Sequence, residues 1–406
     1  MKAGFLLALN PGSSSIKLGL YEVVDGRAVG IGRGEVDLQT TPLALSLEVR
    51  GMRSMLPIDA PLDDTLGEVV DALLAQLEGH GALGDLRAIG HRVVHGGTRF
   101  HAATVVDDDA LDAIASLTPL APLHQPHSVR LMRAIRRLRP SVAQTASFDT
   151  AFHVTQDMLV RRYALPARWH DAGVMRYGFH GLSYAYIAQV LARRHPLIAR
   201  GRVVAAHLGS GASLCAMAGG RSVDSSMGFS TLDGVPMSTR CGALDAGAVL
   251  YLMEEGGLDL RALEHLLYHE SGLLGVSGIS GDLRRLEASA DPAARMALDL
   301  FAFRCAGEAA RLAGSLGGLD ALVFTAGIGE HAAAMRAAIC SRLAWLGVSL
   351  DDAANARHAE CVSSPESRVI VLVVPTDEEQ VIADEAIAVL GPFAGDYLST
   401  NARSIT

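Results

Sequence analysis

The segment Asn10-Pro11-Gly12-Ser13-Ser14-Ser15-Ile16-Lys17 places an amide, three hydroxyls and an ammonium within one short turn. Small donors of this kind can contact phosphate oxygens. The Gly-Lys-Ser/Thr ending of a P-loop is missing and a strand pattern follows, so a bare hairpin turn is the competing reading. Lys2 and Lys17 are the only lysines, and Asn10, Asn355 and Asn401 the only asparagines, which favours phosphate contact for the two kept here. Arginine is abundant and mostly reads as surface charge. Arg92, between apolar residues and His95-Gly96-Gly97, and Arg240, in a loop with little other charge, are the exceptions. Each could anchor an ion pair. If they face one another they could clamp the oxygens of a transferring phosphoryl group, a role worth about 10³–10⁵ in rate for an arginine finger.

His180, between Phe179 and Gly181, is either structural or a hydrogen-bond donor to the same oxygens, and His124 carries the same two readings. His265 and His269 have the i, i+4 spacing of a metal site but lack the Glu that a zinc protease needs after the first His, so they read as an exposed helix face. Asp149 and Glu378 are candidates for a magnesium shell, because magnesium keeps several waters and one or two carboxylates suffice. Ordinary acids at strand ends are the alternative.

Positioning these groups requires alternating strands and helices. Phe5–Leu9 and Ile16–Val24 read as a β-hairpin, Asp64–Leu77 as a helix and Ala88–Val94 as a strand. Leu111–Leu117 and Ser128–Leu138 are helical in pattern, with prolines between them. A second half starts near residue 151. There Arg202–Leu208, the turn Gly209-Ser210-Gly211-Ala212-Ser213, and Leu214–Ala218 repeat the opening hairpin. A helix at Pro292–Gly314, strands at Ala321–Thr325 and Val369–Val374, and a helix at Glu378–Leu390 follow. The repeat suggests two copies of one domain facing across a cleft that holds nucleotide phosphates.

Composition sets the bounds. At 406 residues the chain exceeds one ordinary core, and 50% apolar with 19% charged residues fits an α/β protein. A net charge of −9 argues against a nucleic-acid footprint. Five cysteines without a CxxC pair suggest neither a disulfide framework nor a zinc ribbon, and fit a reducing cytosol. The apolar opening is cut by Asn10-Pro11-Gly12, so it reads as a buried strand and not as a signal peptide, and no run approaches the roughly 18 residues of a membrane span.

In order along the chain, NPGSSSIK, HRVVHGG, APLHQPHS, FDTAFH, RYGFHGLS, HLGSGAS, MGFSTLDG, STRCGALD, GDLRRLE, FTAGIGE and PTDEE make the sequence resemble the acetate kinase family, within the actin, sugar-kinase and heat-shock-chaperone superfamily. The resemblance implies an α/β fold of two duplicated actin-like (ribonuclease H-like) domains with a nucleotide cleft between them. Residues 1–150, completed by a helix at about 384–406, would form the first and residues 151–383 the second, nucleotide-binding one. It implies a cytoplasmic, magnesium-dependent homodimer, with manganese able to substitute, that moves phosphoryl between ATP and acetate to give ADP and acetyl phosphate. No nucleic acid or membrane partner is implied.

By the same resemblance Arg92, Arg240 and His180 would stabilise the transferring phosphoryl, with Arg92 also contacting the acid. Asp149 would orient groups around it and, with Glu378 and Asn10, hold magnesium. Ser13, Ser15 and Lys17 would contact phosphates, alongside His207, Leu208, Gly209, Ser210 and Gly211. Asp282, Leu283, Arg284, Gly327, Ile328, Gly329 and Glu330 would line the nucleotide pocket, and Val94, Leu123, Phe179 and Thr231 the acid pocket. The chain departs from the family pattern at Ser210 (Asn), Tyr184 (His), Leu283 (Phe) and Thr231 (Pro), positions that bear on phosphate geometry and acid preference. A carboxylate with a pKa of about 4.3 is ionised at pH 7 and needs no general base, so Asp149 would act by placement and electrostatics in a direct in-line transfer. Competing functions are a propionate or butyrate kinase of the same fold, an ATP-dependent switch, and an inactive paralogue.

Overall fold

The computed structural model describes residues 4–12, 15–61, 66–81 and 83–391. Two units divide the chain, Met1–Ala151 with Asp377–Thr406, and Phe152–Thr376. Residues 392–406, part of the helix expected at about 384–406, lie outside the described residues, as does Ser13.

In the first unit, β1 (Gly4–Pro11), β2 (Ser15–Val24), β3 (Arg27–Asp37), β4 (Ala44–Val49), β5 (Met52–Pro57), β6 (Leu86–Val93), β7 (Thr104–Val105) and β8 (Ala143–Phe148) form one sheet in the order β5-β4-β3-β2-β1-β6-β8-β7. β1, β6 and β8 run parallel. Parallel neighbours need a crossover, and the helices Gly67–Gly79 and Gln125–Leu138 fall within the two crossovers. Leu7, Leu9 and Ile89 share a core with Val69, Leu73, Leu77, Leu131 and Ile135 of these helices. Gly90, the next residue on β6, points to the other face. There a Cβ would stand 2.6 Å from Ile382, so glycine lets the helix Glu378–Leu390 lie down on the sheet. The meander β3–β5 was not anticipated. β3 buries only Val36, so its sequence lacks the apolar alternation that marks a strand.

In the second unit, β9 (Arg202–Leu208), β10 (Ala212–Ala218), β11 (Arg221–Ser225), β12 (Ala321–Thr325) and β13 (Ile370–Val373) form a sheet in the order β11-β10-β9-β12-β13. β9, β12 and β13 are parallel and β10 and β11 antiparallel. The same directions and order hold for β3-β2-β1-β6-β8, so five strands of the first sheet recur in the second. Every residue of β12 is buried, as expected for a strand covered on both faces. The long helix Pro292–Leu316 leads into β12. Its start is set by Asp291, whose side chain accepts from the Ala293 amide, and its end by Gly317 at φ 68.

Candidate functional site

In the first unit the chemistry gathers at the carboxyl ends of the parallel strands, where open α/β sheets bind ligands. Arg92 is the penultimate residue of β6, Asp149 follows β8, and the Asp149 amide donates to the Val93 carbonyl at 3.0 Å. Arg92 Nε donates to both Asp149 oxygens at 3.1 Å, Nη2 donates to Oδ2 at 2.7 Å, and Nη1 donates to Asn10 Oδ1 at 3.0 Å. Asn10 turns its Nδ2 to Glu378 Oε2 at 3.0 Å and Glu379 Oε1 at 2.8 Å. Burial would lower the Arg92 pKa, but the charges of Asp149, Glu378 and Glu379 overcome it and raise it. Burial also pushes the Asp149 carboxyl up, against the pull of Arg92. Three charge-assisted bonds at these distances favour the ionised pair.

These contacts use three of the five guanidinium N–H groups, and among the described residues no partner is seen for the other two. Asp149, Glu378 and Glu379 thus bring three carboxyl groups to the one guanidinium of Arg92 and the amide of Asn10. Burial, then Glu378, raises the Glu379 pKa. Carboxylate oxygens gathered in this way fit a hydrated magnesium ion, which takes oxygen ligands and keeps several waters. Among the described residues no group of three or more acids, cysteines or histidines is placed to hold a metal ion directly.

Of the other expected site residues in this unit, Val94 is buried, Leu123 half-buried, Ser15 half-buried at the head of β2, and Lys17 exposed opposite Asn10 in the hairpin register. In the other unit the rings of His265 and His269 lie tilted at 5.1 Å, with the His265 side chain 62% exposed and 3.3 Å from Glu270, as befits a surface face.

The second unit holds a cavity of about 690 Å³. Gly209, Ser210, Asp282, Leu283, Arg284, Gly327 and Ile328 line it, as do Ser238, Gly281, Glu287, His331 and Ala332. The latter five were missed, although Ser238 lies in the Arg240 motif and His331 and Ala332 directly follow FTAGIGE. Leu208 and Gly329 are buried beside the cavity's lining residues, and Glu330 instead accepts from the Thr376 amide at 3.3 Å. The fully buried Arg336 donates to the carbonyls of Gly329 and Glu330, fixing the helix Ala326–His331 that forms one wall.

His180 precedes the helix Gly181–Arg194 in a left-handed conformation, φ 56. Its Nδ1 meets Ser213 Oγ at 2.8 Å, and its ring stacks on His207 at 4.3 Å. His207 Nδ1 in turn meets Ser183 Oγ at 2.8 Å. A non-glycine residue at this φ needs support. His153, whose pKa burial lowers to about 4, supplies it by donating from Nε2 to the Phe179 carbonyl at 2.9 Å. FDTAFH contains this histidine, but only the fold shows what it holds. Phe179 and Thr231 are buried, and the Thr231 carbonyl accepts from Arg240 Nη1 at 3.2 Å. A Cβ at Gly211 would lie 3.4 Å from His180 Nε2 and 3.7 Å from Arg240 Nη1, so both candidate side chains face that turn.

A model of the acetokinase family matches residues 5–384. The chain belongs to the acetokinase family. The acetate kinase of Nitrobacter hamburgensis is 44% identical over 394 residues, covering 95% of this chain and 96% of that protein. Among solved structures, the acetate kinase of Porphyromonas gingivalis is 34% identical with a TM-score of 0.83, covering 96% of this chain and all, 100%, of that one. A propionate kinase from Francisella tularensis is 33% identical with a TM-score of 0.87, covering 94% and 98%. The match therefore takes in the second unit of this acetokinase-family chain and most of the first. Among its described residues no helix is long and apolar enough to cross a membrane.

Proposed function

We propose that this chain is an acetate kinase, transferring phosphoryl reversibly between ATP and acetate. The observation that carries this reading is the cavity of about 690 Å³ bordered by the small-residue turn that His180 and Arg240 both face. Such a cavity can take a nucleoside, the turn can take its phosphates, and the histidine and arginine can meet charge that grows on the transferring group. Arg92, held by Asp149, offers its two remaining N–H groups to the carboxylate beside the apolar Val94. Acetate is already ionised at neutral pH, so catalysis consists of alignment and positive charge. Asp149 acts through Arg92, and transfer is in line, without a phosphoenzyme.

Asp149 and Glu378, with Asn10, would hold magnesium, or manganese in its place. The ion supplies neutralisation of phosphate charge. The helix Ala246–Glu254 buries none of its residues and leaves Leu250 59%, Tyr251 65% and Met253 40% exposed, so we assign this face to a second copy of the chain in a homodimer. Five free cysteines suit the reducing cytoplasm.

The likeness to a propionate kinase keeps propionate as a second acid to test. The test is hydroxamate formation from ATP, magnesium and acetate, propionate or butyrate, in the wild type and in Arg92→Ala and Arg240→Ala. Highest kcat/KM with acetate and collapse in both variants is expected. ATP binding without turnover of any acid would overturn the proposal in favour of a switch or inactive relative.

A further inference from the structure

Behind His180 runs a buried chain of hydroxyls. Tyr184 lies one helical turn beyond it, and its phenol oxygen is 2.5 Å from Ser213 Oγ, which is 2.8 Å from His180 Nδ1. Tyr184 and Ser213 are both 0% exposed. Among the described residues the Ser213 hydroxyl meets these two partners, so its single proton goes to one of them. A phenol, with a pKa of about 10, is a far stronger donor than an aliphatic alcohol and a weaker acceptor. At this short separation Tyr184 therefore donates to Ser213, and Ser213 is left to donate to Nδ1. An imidazole nitrogen that accepts carries no proton, and the ring's proton is then on Nε2. That is the atom nearest a Cβ placed at Gly211, on the side shared with Arg240 Nη1.

We infer, building on the kinase function proposed above, that Tyr184 is a positioning residue for phosphoryl transfer: through Ser213 it fixes His180 as the neutral Nε2–H tautomer, presenting a hydrogen-bond donor toward the Gly209–Gly211 turn. Ring orientation is set by the same chain, since rotating the imidazole by half a turn would take Nδ1 from Ser213 and Nε2 from the turn. His207 is governed separately, because its Nδ1 partner Ser183 donates onward to Thr376 at 3.0 Å. The two stacked histidines thus have independent proton settings. Tyr184 occupies a position where the family pattern carries histidine, so this relay belongs to this chain's own sequence.

The test is the tautomer itself, read by nitrogen-15 chemical shifts of labelled histidine in the protein without substrate, with His180 assigned from a His180→Gln spectrum. A pyridine-like Nδ1 and pyrrole-like Nε2 are expected in the wild type. Tyr184→Phe, which keeps the ring's packing, should give a tautomer mixture at His180 and leave the His207 ratio unchanged. With acetate and ATP, kcat should fall about tenfold, less than the roughly 10²–10³ for deleting a donor outright, while both KM values stay within about twofold. Ser213→Ala should lower kcat at least as far, and adding Tyr184→Phe to it should change nothing further, as for residues acting through one chain. An Nδ1–H tautomer in the wild type, an unchanged His180 signal in Tyr184→Phe, or additive losses in the double variant would overturn the inference. If Tyr184→Phe does not fold, the wild-type spectrum and Ser213→Ala decide it. Because the spectrum needs no turnover, it stands or falls apart from the assignment of the acid substrate.

Discussion

Asp149, 1% exposed, is held by Arg92 through both of its oxygens, and the same guanidinium reaches Asn10 on the neighbouring strand. The pair is therefore at once the buried charge balance of the sheet end and the anchor of the group proposed to meet the acid. Arg92→Ala leaves a buried carboxylate without its cation and should destabilise by about 3–5 kcal/mol in urea unfolding. Arg92→Lys keeps the charge but loses the fork that spans both oxygens. It should fold with a smaller loss of stability yet lower kcat by about a hundredfold or more; wild-type kcat in Arg92→Lys would show that the fork is not needed.

The loop that carries Arg240 is fastened by the start of the helix Gly272–Ser277. The Leu273 amide donates to the Met237 carbonyl at 2.8 Å, and the Leu274 amide to the Ser238 carbonyl at 2.9 Å. Gly272, just before these two residues, has φ +61, and a Cβ there would lie 2.7 Å from the Arg240 carbonyl. Gly272→Ala should push the loop away, because the new carbon meets backbone that cannot rotate aside. Expected is a kcat loss of about tenfold or more, with a stability loss of about 1–3 kcal/mol. Steady-state kinetics beside thermal unfolding checks both.

Gly327 lines the cavity, and a Cβ on it would meet nothing within 4 Å. Gly327→Leu should therefore fill the nucleotide space without straining the fold. KM for ATP should rise at least about tenfold, with KM for the acid and the melting temperature little altered. A rise in KM for the acid alone would place the nucleotide elsewhere.

Burial lowers the pKa of His91, His95 and His153 from 6.5 to about 4. Depressed folded-state values mean that the unfolded chain binds more protons between these limits. Their stabilising contribution is complete above pH 6.5 and is lost as pH falls toward 4, by up to about 1.4 kcal/mol per pH unit for each group. Urea midpoints measured at pH 7.5 and 5 should drop steeply in the wild type and less steeply in His153→Gln. Equal slopes would mean that His153 is not held neutral in the fold.

The turn Asn10–Lys17, the hairpin at Arg202–Ala218 and the helix Glu378–Leu390 were legible because local chemistry writes them: glycine and serine at turns, apolar alternation in strands, apolar spacing in helices. Arg92, Asp149, His180 and Arg240 stood out by residue type and by their motifs. What each of them touches was not legible. Asn10 meets Glu378 across 368 positions of sequence, and that meeting exists because Gly90 lets the last described helix settle on β6. Hydrogen-bond partners depend on atoms brought within about 3 Å by strand register and helix packing, distances that no spacing rule along a chain specifies. The sequence alone thus determined the repeated strand–turn–strand units and the inventory of charged and polar groups. Tertiary structure decided which carboxylate neutralises Arg92, which serine faces His180, and that residues from 209 to 332 enclose one cavity.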